Sequence, residues 1–280
     1  MRVLVVTKTP LISRLCAEDL ERLTSSGARD RDDLDASALN HRATLDAVRA
    51  ALVGCEVSVR RVEELQTTDA AGCDLVVTVG GDGTVFTANT LATDAPFLTV
   101  NSDPDGSVGH FTRARADSVA GLIARFRTGQ ARFQAMPRLE LRLGTATWQI
   151  LNDCLFTSVN PAAMCRYRLE VDGQSEHQRS SGVWIATAAG STGAIHSAGA
   201  EAITPADRFA LLFWVREPFH AKGQARLLHD CQVPPRGLTL TAANPGTALY
   251  LDGPNLTVPL PPGESAVFAA SAQPLRLIVA

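Results

Sequence analysis

The chain has 280 residues, 45% apolar and 20% charged, with a formal net charge of −3. That length allows one large domain or two modest ones with real cores, and without a dense Lys/Arg run a nucleic-acid or membrane-surface role has no electrostatic support. The six cysteines form no CxxC pair and no histidines cluster at ligand spacing, so reduced structural thiols are expected rather than a zinc site.

Residues 2–7, RVLVVT, read as a short buried strand. The polar segment 25–36, SSGARDRDDLDA, reads as a mobile surface loop. Residues 39–54 read as an amphipathic helix, because Leu45, Val48 and Leu52 recur at helical spacing and Gly54 is a natural stop. Strands are expected at 56–62, 74–79 and 96–102, with a helix from about Thr84 and another over 116–129. Strands alternating with helices imply a parallel, doubly wound sheet. Further on the pattern changes. Short strands at 138–143, 147–156, 166–173, 183–188, 238–242, 248–253 and 275–280 are joined by Gly- and Asp-rich turns, which predicts an antiparallel β region. The expected architecture is therefore an α/β domain over 1–120 and a β-rich domain over 121–280, with the extreme C-terminus able to pack back on the first.

The start of the chain is too short in apolar run, and too soon interrupted by Lys8, to read as a signal peptide. The longest stretch free of acids, Lys and Arg, residues 180–200, is full of Gly, Ser and Thr and is not a membrane span. A cytoplasmic protein is expected.

Four clusters carry candidate chemistry. The third expected strand runs straight into Gly80-Gly81-Asp82-Gly83-Thr84. One glycine would suffice for a turn, so three around one acid suggest that a ligand approaches the backbone closely. Glycines let N–H groups face a phosphate, and the following helix start favours negative charge. The plain alternative is a strand–helix turn with Asp82 as its N-cap. Neither a Rossmann fingerprint nor a P-loop is present. The second cluster, residues 186–199, holds Gly190-Ser191-Thr192-Gly193, which is compatible with a nucleotide or with a tight turn. The third is Leu151-Asn152-Asp153-Cys154 inside an expected strand, where adjacent polar residues would face opposite sides. The fourth, residues 100–111, is a strand-end loop with two acids and two glycines.

The order and spacing of these clusters resemble the NAD kinase family, with GGDGT, an Asn-acid pair, a GST loop and Ser197-Ala198-Gly199 in turn. Two positions depart from the family pattern: Asp153 stands for the usual Glu, and Ser181-Gly182 for the usual Asp-Gly. The SSG, NSDPDGSVGHF and REP stretches are similar to the mitochondrial-type branch. The resemblance implies transfer of the ATP γ-phosphoryl group to the adenosine-ribose 2′-hydroxyl of NAD. It implies Asp82 as general base or as a group orienting Mg²⁺. Gly80, Gly81, Gly83 and Thr84 would cradle phosphates. Asn152 and Asp153 would hold the NAD adenosine ribose, Thr187, Ala188, Ser191 and Thr192 would line an adenine pocket, and Ser181 would lie near the dinucleotide. Asp103, Gly109 and His110 are further candidates at a cleft between domains. Mg²⁺ accompanying ATP is the implied cofactor, and a homo-oligomer, in first place a dimer, the implied assembly. Two other readings stay open: a related kinase acting on another hydroxyl, and a non-catalytic dinucleotide sensor.

Overall fold

The computed structural model describes residues 1–219, 226–254 and 256–280. These form two compact units, one of Met1–Gln134 with Arg276–Ala280 and one of Ala135–Leu275. The division thus falls after the fifth helix, not at residue 120, and the C-terminal strand belongs to the first unit.

In the first unit, β1 (Arg2–Thr7) pairs in parallel with both β2 (Glu56–Arg61) and β3 (Leu75–Gly80), and β3 pairs in parallel with β4 (Phe97–Asn101). The C-terminal strand Leu275–Val279 lies beside β4, and β5 (Arg132–Met136) closes the edge. β3 and β4 are buried along their whole length, which is why they read as unbroken apolar runs and not as alternating ones. The helices are α1 (Leu11–Arg14), α2 (Ala17–Ser25), α3 (Arg31–Ala51), α4 (Asp82–Ala88) and α5 (Val119–Arg127). Val48 and Leu52 pack with Val3, Val5, Val77, Leu122 and Ile123 in one core.

The expected loop over residues 25–36 is only partly a loop. α3 begins at Arg31, because the Asp30 side chain caps it by accepting the Asp32 N–H at 2.7 Å. Asp32 and Asp33 add negative charge to the first turn, and Arg31 bonds Asp35 one turn on. A dense run of charge is here a helix start.

The second unit contains β6 (Leu139–Leu143), β7 (Ala146–Ile150), β8 (Asp153–Ser158), β9 (Cys165–Val171), β10 (Gln174–Ser180), β11 (Gly182–Ala186), β12 (Leu211–Arg216), β13 (His229–Gln232), β14 (Leu238–Ala242), β15 (Thr247–Leu251), β16 (Leu256–Pro259) and β17 (Ser265–Ala270). One sheet runs β10-β9-β14-β17-β6-β7 and the other β13-β12-β11-β8-β15-β16. Their inner faces share one core, with Leu141, Tyr167, Leu240 and Phe268 from the first and Phe156, Ile185, Phe213 and Leu249 from the second. The unit is an antiparallel sandwich. Asp172 and Gly173, both at positive φ, make the two-residue turn between β9 and β10. The outer side of the second sheet carries α6 (Ala194–Ser197), whose Ile195 packs on Ala186, Ala188 and Leu212.

The expected single strand over 147–156 is two. β7 stops at Ile150 and β8 starts at Asp153, with a bend at Leu151 and Asn152. Asn152 therefore does not alternate with Asp153 across a pleat.

Candidate functional site

In the first unit the glycine turn stands at the carboxyl end of β3, where ligands bind in open parallel sheets. Gly80 ends the strand, Gly81 is the N-cap of α4, and Asp82 is the first helical residue. Asp82 is thus not the cap of its own helix. Its two carboxylate oxygens instead accept backbone N–H groups from another loop: His110 at 2.8 Å and Phe111 at 2.7 Å. A Cβ on Gly80 would collide with the Thr84 hydroxyl, and one on Gly81 would lie 2.8 Å from Ser107 Oγ. Gly83 faces open space. The turn is close-packed on one side and accessible on the other.

The loop after β4 is shaped by its own polar groups. Asn101 accepts the Asp103 N–H at 3.0 Å, and Asp103 accepts from the Ser37 hydroxyl at 2.5 Å. Gly109 has φ +65° and sits against Asn101 and Thr112, where a side chain would be both strained and crowded. His110 contributes its backbone N–H and an edge contact with Phe111. Asp103, Gly109 and His110 therefore form the loop that Asp82 holds.

Behind this loop lies a buried relay absent from the sequence reading. His41 of α3 bonds Thr7 at 3.0 Å through Nε2 and Ser102 at 2.9 Å through Nδ1. It ties α3 to the ends of β1 and β4. Burial, with the Lys8 charge adding to it, holds its pKa down to about 4. A lone histidine in a helix gives no sequence signal for such a role. Beside it, a cavity of about 660 Å³ is lined by Lys8, Thr9, Arg42 and Arg61 among others. Burial lowers the Lys8 pKa, opposed by the Asp103 carboxylate.

In the second unit, Asn152, Asp153, Thr187, Ala188 and Ser191 are brought together. β11 pairs with β8 so that Ala186 lies opposite Asp153. The Thr187 hydroxyl donates to Leu151 O at 2.8 Å and accepts the Gly190 N–H at 3.0 Å. The Ser191 hydroxyl donates to Ala188 O at 2.6 Å and accepts the Ile203 N–H at 2.7 Å. These two buried hydroxyls build the loop from within, whereas Thr192 is exposed. A side chain at Gly190 would strike the Asn152 carbonyl, so only glycine lets the two segments touch. Asn152 Nδ2 donates to Asp153 Oδ2 at 2.9 Å, and Gly193 lies next to both side chains.

Asp252, just after β15, carries no local functional signal, since Asp-Gly reads as an ordinary turn. It is buried, and it accepts the N–H groups of Leu151, Asn152 and Asp153. Burial, with the Asp252 charge beside it, pushes the Asp153 pKa up to about 7.

Ser181 is not in this group. It precedes Gly182 at the opposite end of β11, about 17 Å of strand from Ala186 at about 3.3 Å per residue. Its backbone bonds Arg216 O and accepts from Thr157.

Among the described residues no three His, Cys, Asp or Glu side chains gather to hold a metal ion, and no helix is long and apolar enough to cross a membrane. All six cysteines are free.

Residues 17–131 match the ATP-NAD kinase N-terminal domain. Over 244 residues the chain is 30% identical to an NADH kinase of Arabidopsis thaliana, covering 74% of this chain and 73% of that one. It is 32% identical over 203 residues to an NAD kinase of Methanoculleus marisnigri, covering 71% and 68%. Among solved structures, the fold is similar to an NAD kinase from Archaeoglobus fulgidus in complex with ATP, at TM-score 0.67, 20% identity and coverage of 99% and 93%. It is similar also to yeast NADH kinase complexed with NADH, at TM-score 0.70, 15% identity and coverage of 100% and 84%. With relatives at this identity aligned along more than two thirds of both chains, the chain belongs to the NAD kinase family.

Proposed function

We propose that the protein is an ATP-dependent NAD kinase, transferring a phosphoryl group to the 2′-hydroxyl of the adenosine ribose. The observation that carries this is the alignment with NAD and NADH kinases through both units of the chain. In the mechanism, Asp82 takes the proton of the attacking hydroxyl. Each of its oxygens already accepts one backbone N–H, which fixes the carboxylate and leaves lone pairs free for the reaction. The open face at Gly83 suits donor phosphates. Lys8, Arg42 and Arg61, with Asp35, line a cavity in the same unit. Asn152 and Asp153 recognise the adenosine ribose, beside the loop built by Thr187, Ala188 and Ser191.

Mg²⁺ accompanying ATP is the cofactor we propose; Asp82 would be the protein group available to it, and the ion would supply neutralisation of charge on the phosphoryl group. The six free cysteines suit a reducing cytoplasm, and a homo-oligomer is the assembly proposed. Two similar proteins bear the name NADH kinase, which supports acceptance of the reduced cofactor as well as the oxidised one.

The test is formation of NADP or NADPH by purified protein, with NAD, NADH and several phosphoryl donors. Label passing from ATP to a lipid or sugar hydroxyl, with none reaching either dinucleotide, would overturn the assignment.

A further inference from the structure

The Asn152–Asp153 bend exists because of a residue a hundred positions downstream. Asp252 follows β15 in a left-handed conformation, with φ 49°, and is 6% exposed. Its carboxylate faces three consecutive backbone N–H groups. Leu151 N lies 3.1 and 3.0 Å from its two oxygens, while Asn152 N and Asp153 N lie 2.7 and 3.2 Å from Oδ1. In return, the Asp252 N–H donates to Asp153 O at 2.8 Å. A regular β8 would have kept these N–H groups in a ladder. Collected on one carboxylate, they turn the chain out of the sheet and stand the Asn152 and Asp153 side chains side by side beside Gly193.

We propose that Asp252 is a positioning residue for dinucleotide recognition: it holds the 151–153 backbone in the bend that presents Asn152 and Asp153, and it sets the charge state in which Asp153 meets the ligand. This rests on the NAD kinase reading of the site. The Asp252 carboxylate faces its three N–H partners, and its charge adds to burial in raising the Asp153 pKa. Asp153, buried next to it and accepting the Asn152 amide at 2.9 Å, has its pKa raised to about 7 by that burial and by the Asp252 charge. A protonated Asp153 can donate to a ribose oxygen; an ionised one can only accept. The groups that bear on it are Asp252, the Asn152 amide and the Cys154 thiol, whose own titration burial pushes well up. The segment packed against it from 187–193 contributes no charged side chain.

The experiment is calorimetric titration of NAD into the full chain from about pH 6 to 8.5, with KM for ATP measured alongside. Wild-type NAD affinity should change through a single inflection near 7. Asp252→Asn lacks the charge and one acceptor. It should weaken NAD about tenfold, leave KM for ATP within about twofold, and move the inflection to lower pH. Asp153→Asn should abolish the inflection. That variant leaves Asp252 and its N–H partners in place, so it carries the test if Asp252→Asn does not fold. An inflection that persists in Asp153→Asn, or NAD and ATP constants that move together in Asp252→Asn, would overturn the proposal. Because NAD affinity and its pH inflection are read by binding and only the ATP constant by turnover, a wild type that binds NAD yet makes no NADP would sink the kinase assignment alone.

Discussion

Replacing Asp82 by Asn separates chemistry from architecture, and the structure allows both effects to be sized. The carboxylate accepts one N–H on each oxygen, from His110 and Phe111. Asn offers one carbonyl oxygen, so one of these N–H groups would meet an amide NH₂ instead of an acceptor. Leaving a part-buried donor unsatisfied costs about 1–3 kcal/mol, and these bonds lie at the strong end because the acceptor is charged. For a protein of this size each kcal/mol moves the melting temperature by about 2–4 °C. A measurable drop of several degrees is therefore expected in a variant that still folds. Loss of a general base costs a further factor of about 10² to 10⁴ in rate, roughly 3 to 5 kcal/mol in the barrier. NADP formation and thermal melting, measured on one preparation, give the two numbers separately. Turnover within tenfold of wild type would refute the base role. An unchanged melting temperature would refute the account of Asp82 as the anchor of the 109–111 loop.

Asn152→Ala should raise KM for NAD more than KM for ATP, by the about 1–3 kcal/mol of a lost buried partner; an effect falling mainly on ATP would move this residue out of the dinucleotide site. Ser181→Asp should raise the NAD-over-NADH ratio of kcat/KM by up to about tenfold, since a carboxylate favours the positively charged nicotinamide ring by roughly 1.4 kcal/mol. Its place at the far end of β11 from Asp153 suits contact with the end of the dinucleotide away from the adenosine, and a flat ratio with activity retained would refute it. His41 predicts acid sensitivity. Its folded pKa of about 4 lies below the unfolded 6.5, so the unfolded chain takes up a proton that the folded one resists. Stability is fully present above pH 6.5 and falls by up to about 3 kcal/mol as pH drops toward 4. His41→Gln, which cannot charge, should melt with a flatter slope over that range, and an unchanged slope would show that another group governs it.

The local chemistry of this chain was legible without its structure wherever neighbours in sequence do the work. Continuous apolar runs such as 75–79 read as strands covered on both faces, and the glycines at 80 and 81 mark a close approach while Gly83 faces open space, because these features are set within a few residues. The order of strands and helices likewise fixed the α/β and then all-β character of the two regions. Short-range reasoning failed in two ways. At 31–36 it weighed polarity over capping, and missed that Asp30 starts a helix. At 147–156 it saw one apolar strand, because nothing local reveals that Asp252 pulls the Leu151, Asn152 and Asp153 N–H groups out of the ladder. The tertiary structure alone decided the rest: that Asp82 grips the loop at His110 and Phe111, that His41 joins Thr7 to Ser102, and that two acids far apart in sequence share one burial site. Each of these depends on a polar group needing a partner once water is removed. The partner is supplied by the folded chain, from positions that no sequence window contains.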